Sequence, residues 1–190
     1  MGVRASAPLR RKRGSEAPSP SAEPPLELAI ISDPGEDLDD ELAMVYLRHL
    51  VAVYPSLVVR CVVCNLRPAR KRAALMRQTL DALNMKHVPV GVGDEVVPPS
   101  RARDDDEDWA FIDAGAYASV HADGQVLLLE AFEAADDGAL TLLCISALTD
   151  AAAFLEEHEG LFRRKVKEVV IMGGVEAPGT DGLLNPDDAA

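Results

Sequence analysis

A chain of 190 residues that is 48% hydrophobic is long enough for one domain with a packed core, and with aromatics at 4% that core must be built from Leu, Val and Ala. A net charge of −13 argues against a nucleic-acid groove, which needs a basic footprint. No apolar run approaches the ~20 residues of a membrane-spanning helix, so a soluble protein with no transmembrane segment is expected.

Residues 1–25 differ from the rest. Arg4, Arg10, Arg11, Lys12 and Arg13 against Glu16 and Glu23 give this stretch +3, which leaves −16 on residues 26–190. Pro, Ser and Ala dominate and no periodicity is present, so a disordered, solvated tail is expected. Three addresses fit it as well. Met1-Gly2 with Ser6 fits N-myristoylation, Arg10–Arg13 a nuclear-import patch, and the Arg- and Ser-containing start an organelle transit peptide. The plain expectation is a cytoplasmic protein.

The apolar run Leu26–Ser32 reads as a strand, and it stops at Asp33-Pro34-Gly35. Six acids follow within nine residues: Asp33, Glu36, Asp37, Asp39, Asp40 and Glu41. A helix is predicted over Asp39–Leu50, with Leu42, Val45 and Tyr46 at i, i+3, i+4 spacing. A strand that ends in carboxylates before a helix places them at the C-terminal edge of a sheet, where open α/β folds bind ligands. One or two acids suit the positive end of a helix dipole. Four aspartates between Asp33 and Asp40 exceed capping, and crowded like charges call for a hard divalent cation with oxygen ligands.

Leu57–Val63 is the next strand. It carries Cys61-Val-Val-Cys64, whose thiols three apart on a strand point to opposite faces, the wrong geometry for a redox or zinc pair. With Cys144 the chain has three cysteines, expected to be reduced and mostly buried, which suits an intracellular compartment. A helix over Pro68–Leu83 and a strand over Val88–Val92 follow. The pattern then lapses between Val97 and Gly124, where the run Asp104–Asp108 reads as a solvated loop. Beyond it come a helix over Val126–Ala135, a strand over Leu140–Ile145, a helix over Thr149–His158 and a strand over Glu168–Met172. Gly173-Gly174 closes the last strand, either as a plain turn or to let the backbone approach a ligand. Strands that are near-continuous apolar runs alternating with helices predict an α/β domain over residues 26–190, with an open, mostly parallel sheet covered by helices on both faces. The four histidines have no ligand spacing.

Asp33-Pro34-Gly35 followed by Asp39-Asp40 and Ala43 resembles the signature of the nucleoside hydrolases, the inosine/uridine-preferring N-ribohydrolase family. Further pieces stand in the family's order. Cys64-Asn65 falls where the family has Gly-Asn, and Leu148-Thr149-Asp150 resembles its Leu-Thr-Asn. The segment from Val166 through Met172 to Gly174 is close to its Val-Lys-Glu-Val-Val-x-Met-Gly-Gly. The resemblance implies a Rossmann-like domain that cleaves the N-glycosidic bond of ribonucleosides to base and ribose, in purine and pyrimidine salvage, using Ca2+. It also implies a homo-oligomer.

Residue by residue, the resemblance implies Asp33 as general base and metal-proximal ligand, Asp40 as a calcium ligand, and the Ile145 backbone carbonyl as a further one. Asp39, supplemented by Asp37, faces the ribose, as does Asn65. Met172 lines the sugar pocket, and Asn185 is the one asparagine near the family's later ribose motif. Such a site needs a polarised water, a carboxylate to take its proton, and contacts on the sugar hydroxyls.

Three departures qualify the picture. The carboxylate loop is two residues longer than the family's, Ile31 stands where the family has a leading Asp, and the family's late metal-binding Asp has no counterpart before Ala190. The resemblance therefore implies the N-terminal part of the domain, with weak or absent catalysis by the 190-residue form. A catalytically impaired protein that keeps a metal and ribose pocket is the alternative. A magnesium-dependent phosphatase is a further one, against which Gly35 counts, because that chemistry wants an Asp two residues after the nucleophile.

Overall fold

β1 (Leu26–Ser32) lies at the centre of a five-stranded sheet of order β3-β2-β1-β4-β5, in which every neighbouring pair is parallel. The computed structural model describes residues 25–35, 37–96 and 109–173. Residues 1–24 of the expected tail, Glu36, the Asp104–Asp108 run, Gly174 and Asn185 lie outside the described residues. In chain order, β1 is followed by α1 (Asp39–Val53), β2 (Leu57–Cys64), α2 (Ala69–Ala82), β3 (Val90–Val92), α3 (Ala114–Ala118), α4 (Gly124–Ala134), β4 (Leu140–Cys144), α5 (Thr149–Glu157), α6 (Glu159–Lys165) and β5 (Val166–Ile171).

All five expected strands form. β3 is shorter than the sequence suggests because Pro89 has no N–H to give a ladder. The helices α3 and α6 are additions. α6 buries no residue and α3 buries only Ala116, so neither leaves an apolar stripe to read.

Successive β1 side chains enter different cores. Leu28 and Ile30 pack with Met44, Leu47, Met76 and Leu80 of α1 and α2. Ala29 and Ile31 pack with Leu128 and Phe132 of α4 and Phe154 of α5. The sheet therefore carries helices on both faces, as expected of continuous apolar strands. Cys61 and Cys64 fall in different cores, and all three thiols are free and buried. Burial pushes the Cys61 thiol up to about 12 and Cys144 up to about 11, so neither is a reactive thiolate near neutrality.

On α1 the buried face differs from the apolar stripe in the sequence. Leu42, Val45 and Tyr46 are 62%, 52% and 64% exposed, whereas Asp40, Met44 and Leu47 are buried. The i, i+4, i+7 spacing of those three puts one carboxylate on the core-facing stripe. The rotation of α1 is thus set with Asp40 inside. Among the described residues, no helix is long and apolar enough to cross a membrane.

The β1–β2 register skips a residue: Leu28 pairs with Val59 and Ala29 with Cys61, which leaves Arg60 over. Arg60 Nε donates to the buried Glu27 carboxylate, which also accepts the Asp136 N–H at 3.0 Å. Burial pushes the Glu27 pKa up. The Arg60 hydrogen bond, the Asp136 N–H and the charges of Arg60 and Lys165 outweigh it, so the net shift is below the usual 4.5. Such a group stabilises the fold above its unfolded pKa and loses that contribution as pH falls through the lower folded value. Arg60→Ala is expected to cost about 1.5–3 kcal/mol at neutral pH, the worth of a hydrogen bond to a charged group. Urea unfolding checks this, with the gap to the native protein closing in acid once Glu27 is protonated. A gap that is the same at both ends refutes it.

Candidate functional site

The strand order reverses at β1, which has β2 on one side and β4 on the other. Such a switch point opens a crevice at the C-terminal strand ends. Backbone bonds beyond the ladders hold these ends level. Asn65 N donates to Ser32 O at 3.1 Å, Ile145 N to Ile31 O at 2.9 Å, and Met172 N to Cys144 O at 2.8 Å. Asp33, Asn65, Ile145 and Met172, each the first residue past one of four strands, thus line one sheet edge.

The carboxylates stand at this edge because β1 ends in a tight turn. Gly35 has φ +112°, and a Cβ there would lie 2.3 Å from the Trp109 ring, so only glycine fits under the indole. The chain then enters α1 with Leu38 at the N-cap and no side-chain cap, which leaves Asp39, Asp40 and Glu41 on the first turn. The carboxylates of Asp37, Asp39 and Asp40 have oxygens within 4.8 Å of one another; the first two are exposed and the third is buried.

Asp40 accepts hydrogen bonds from the Ser32 hydroxyl and the Asp33 N–H. Its burial nevertheless pushes its pKa up to about 7, aided by the nearby charges of Asp33 and Asp39. Glu41 is also raised, first by burial and then by Asp39 and Asp37, with Arg72 acting in the opposite sense. An all-oxygen donor set with partly buried negative charge suits a hard divalent cation, so the Asp37, Asp39 and Asp40 group could hold one.

The sequence-derived candidates take distinct places. Asp33 is half-buried directly after β1 and is electrostatically coupled to Asp40. Asp37 joins Asp39 and Asp40 in one group. Ile145 sits one residue past β4, beside the end of β1. Met172 is 55% exposed at the end of β5.

Asn65 is fully buried, and its amide is spent on the protein. Nδ2 donates to Ala147 O at 2.9 Å and to Asp150 Oδ2 at 2.8 Å, while Oδ1 accepts from the Ser146 hydroxyl. Asp150 also accepts from the Asp94 N–H and from Gln125 Nε2, both at 3.2 Å. This network braces the ends of β2, β3 and β4 and opens on a cleft of about 340 Å³ lined by Gly93, Asp94, Asp123, Gln125, Thr149 and Asp150.

Sequence reading missed four partners: Ser32, Arg72, Trp109 and Gln125. Arg72 projects from α2 and is 1% exposed. Its Nη1 donates to Asp33 O at 2.8 Å and Pro34 O at 3.0 Å, and its Nη2 to Arg67 O at 3.4 Å. An arginine in the basic run Arg70-Lys71-Arg72 gives no signal of burial, because its partners are backbone carbonyls.

No family model matches the chain, and no curated protein sequence matches it. Solved structures do match. The type III effector XopQ, crystallised with adenosine diphosphate ribose, aligns at 29% identity with a TM-score of 0.65 over 87% of this chain and 49% of the effector. A plant nucleoside hydrolase aligns at 18% identity and TM-score 0.58, over 80% of this chain and 49% of that one. An inosine-uridine preferring nucleoside hydrolase from Bacillus anthracis aligns at 21% and 0.54, over 84% and 56%. The fold is that of the nucleoside hydrolases, and the chain spans about half the length of the structures it matches.

Proposed function

We propose that this chain carries the carboxylate site of a hydrolase that cleaves the N-glycosidic bond of ribonucleosides, with calcium held at the Asp33–Asp40 turn. The observation behind the reading is the group of Asp37, Asp39 and Asp40 at the sheet's switch point, in a fold shared with ribonucleoside hydrolases. Asp40 and Asp33, with the Ile145 carbonyl at the neighbouring strand end, would hold the ion, which when bound would supply Lewis acidity that lowers the pKa of a water. Asp33, half-buried and beside the buried Asp40, is the carboxylate to take that water's proton. The exposed Asp37 and Asp39, whose carboxylate oxygens lie within 4.8 Å of Asp40, stand at the edge of that ion and would accept hydrogen bonds from ribose hydroxyls. Asn65, expected to face the ribose, has its amide bonded to Ser146, Ala147 and Asp150 and would instead brace the strand ends beside the carboxylates.

The test is calorimetric titration of calcium followed by inosine or uridine, with reducing-sugar release measured on the same samples. Calcium affinity on the order of micromolar, tightened by nucleoside, supports the reading. Absence of calcium binding sinks it.

A second reading has its own support. The likeness to XopQ, 29% identical, is greater than that to the hydrolases, at 18% and 21%. XopQ was crystallised with adenosine diphosphate ribose. On this reading the site binds a ribose-bearing nucleotide without cleaving it, and a cation held by Asp37, Asp39 and Asp40 would offset the charge of the diphosphate. Tight adenosine diphosphate ribose binding without sugar release distinguishes it.

A further inference from the structure

We infer that Arg72 is the positioning residue of the carboxylate turn, fixing the backbone that presents Asp33 and the aspartates after it. The inference rests on the metal site proposed above only for its functional consequence; the clamp itself is a matter of geometry. Arg72 reaches across from α2 and binds two consecutive carbonyls of the turn, Asp33 O and Pro34 O, with one nitrogen, while its other terminal nitrogen meets Arg67 O. A planar guanidinium offers several donors in a fixed fork, which a lysine ammonium cannot reproduce.

The clamp is closed on its far side. The Arg72 guanidinium lies 5.9 Å from the centre of the Trp109 ring, and the same ring covers Gly35. Trp109 is itself buried, in a small core with Ala74, Leu75, Ile112 and Ala116. The turn is therefore held between a buried cation and a buried indole. Neither residue belongs to the carboxylate group, and the sequence between Asp33 and Asp40 contains no basic residue to perform this task.

Arg77 provides a matched control. It lies on the same helix, is 4% exposed, and donates to Val88 O and Met85 O rather than to the turn. Arg72→Lys and Arg77→Lys are therefore compared for calcium affinity by calorimetry, for amide hydrogen exchange across residues 33–41, and for the emission of Trp109, the single tryptophan. Arg72→Lys is expected to lose about tenfold in calcium affinity, to exchange faster over residues 33–41, and to shift the Trp109 emission. Arg77→Lys is expected to keep native affinity and exchange there.

If Arg72→Lys does not melt cooperatively, Arg72→Gln takes its place, since its amide keeps two N–H donors and buries no charge. Native affinity and native exchange in the Arg72 variant, or equal losses in both variants, overturn the proposal. If the native protein binds no calcium, the metal reading falls alone. Hydrogen exchange over residues 33–41 then still decides whether Arg72 holds the turn.

Discussion

Asp40→Asn is expected to abolish calcium binding while leaving the metal-free protein at least as stable as the native one. Asp40 is the buried member of the carboxylate group, and burial with the charges of Asp33 and Asp39 drives its pKa to about 7. Asparagine has the same shape, and its amide oxygen still accepts from the Ser32 hydroxyl. What disappears is a charge that destabilises the metal-free protein and that a cation requires. A ligand at one hundred times its dissociation constant adds about 2.7 kcal/mol to stability. The native protein should show that increment on adding calcium, and Asp40→Asn should show none. Thermal melts with and without calcium read both halves. A variant that melts lower without metal, or that keeps the calcium increment, contradicts the assignment.

Asn65→Asp is expected to be the most damaging substitution for the fold around the site, at about 3–5 kcal/mol near neutral pH, the scale of an uncompensated buried charge. The amide donates both its hydrogens, to Ala147 O and Asp150 Oδ2, and it is fully buried. A carboxylate there would face a carbonyl and a second carboxylate with no hydrogen to give, so its pKa would rise. The sign of the pH effect follows. The penalty is present above the raised folded pKa and shrinks as pH falls through it, because the protonated acid recovers one donor. Urea unfolding at neutral and mildly acidic pH measures the deficit; a deficit that does not shrink in acid contradicts the network.

The sheet was readable in the sequence because its strands are continuous apolar runs, as doubly covered parallel strands must be. Leu26–Ser32 is the case in point: its alternate residues feed two separate cores. The carboxylate turn was readable because its acids are consecutive, and local chemistry is what a sequence displays directly. The buried face of α1 was not. Leu42, Val45 and Tyr46 carry the apolar signal, yet the helix turns Asp40 inward with Met44 and Leu47, because Ser32 and the Asp33 N–H offer that carboxylate partners. Arg72 was hidden for the complementary reason: its partners are backbone carbonyls, which look alike in every sequence. Asn65 was readable as a strand-end asparagine, but its bonds to Ser146 and Asp150 depend on contacts more than eighty residues away.

The strand order also fixes when the site can exist. Glu27 of the central strand pairs with Leu140, so β1 stays an open edge until β4 docks across more than a hundred residues of intervening chain. Closing so long a loop is the slow step of a parallel sheet, because its entropy is spent before any contact rewards it. The acids of the turn are adjacent from the moment the chain is made. The network of Asn65, Ser146 and Asp150 at the same sheet edge forms only once that loop has closed. The turn's negative charge is thus local in the chain, whereas the network that ties the end of β2 to the end of β4 at the same edge belongs only to the closed sheet.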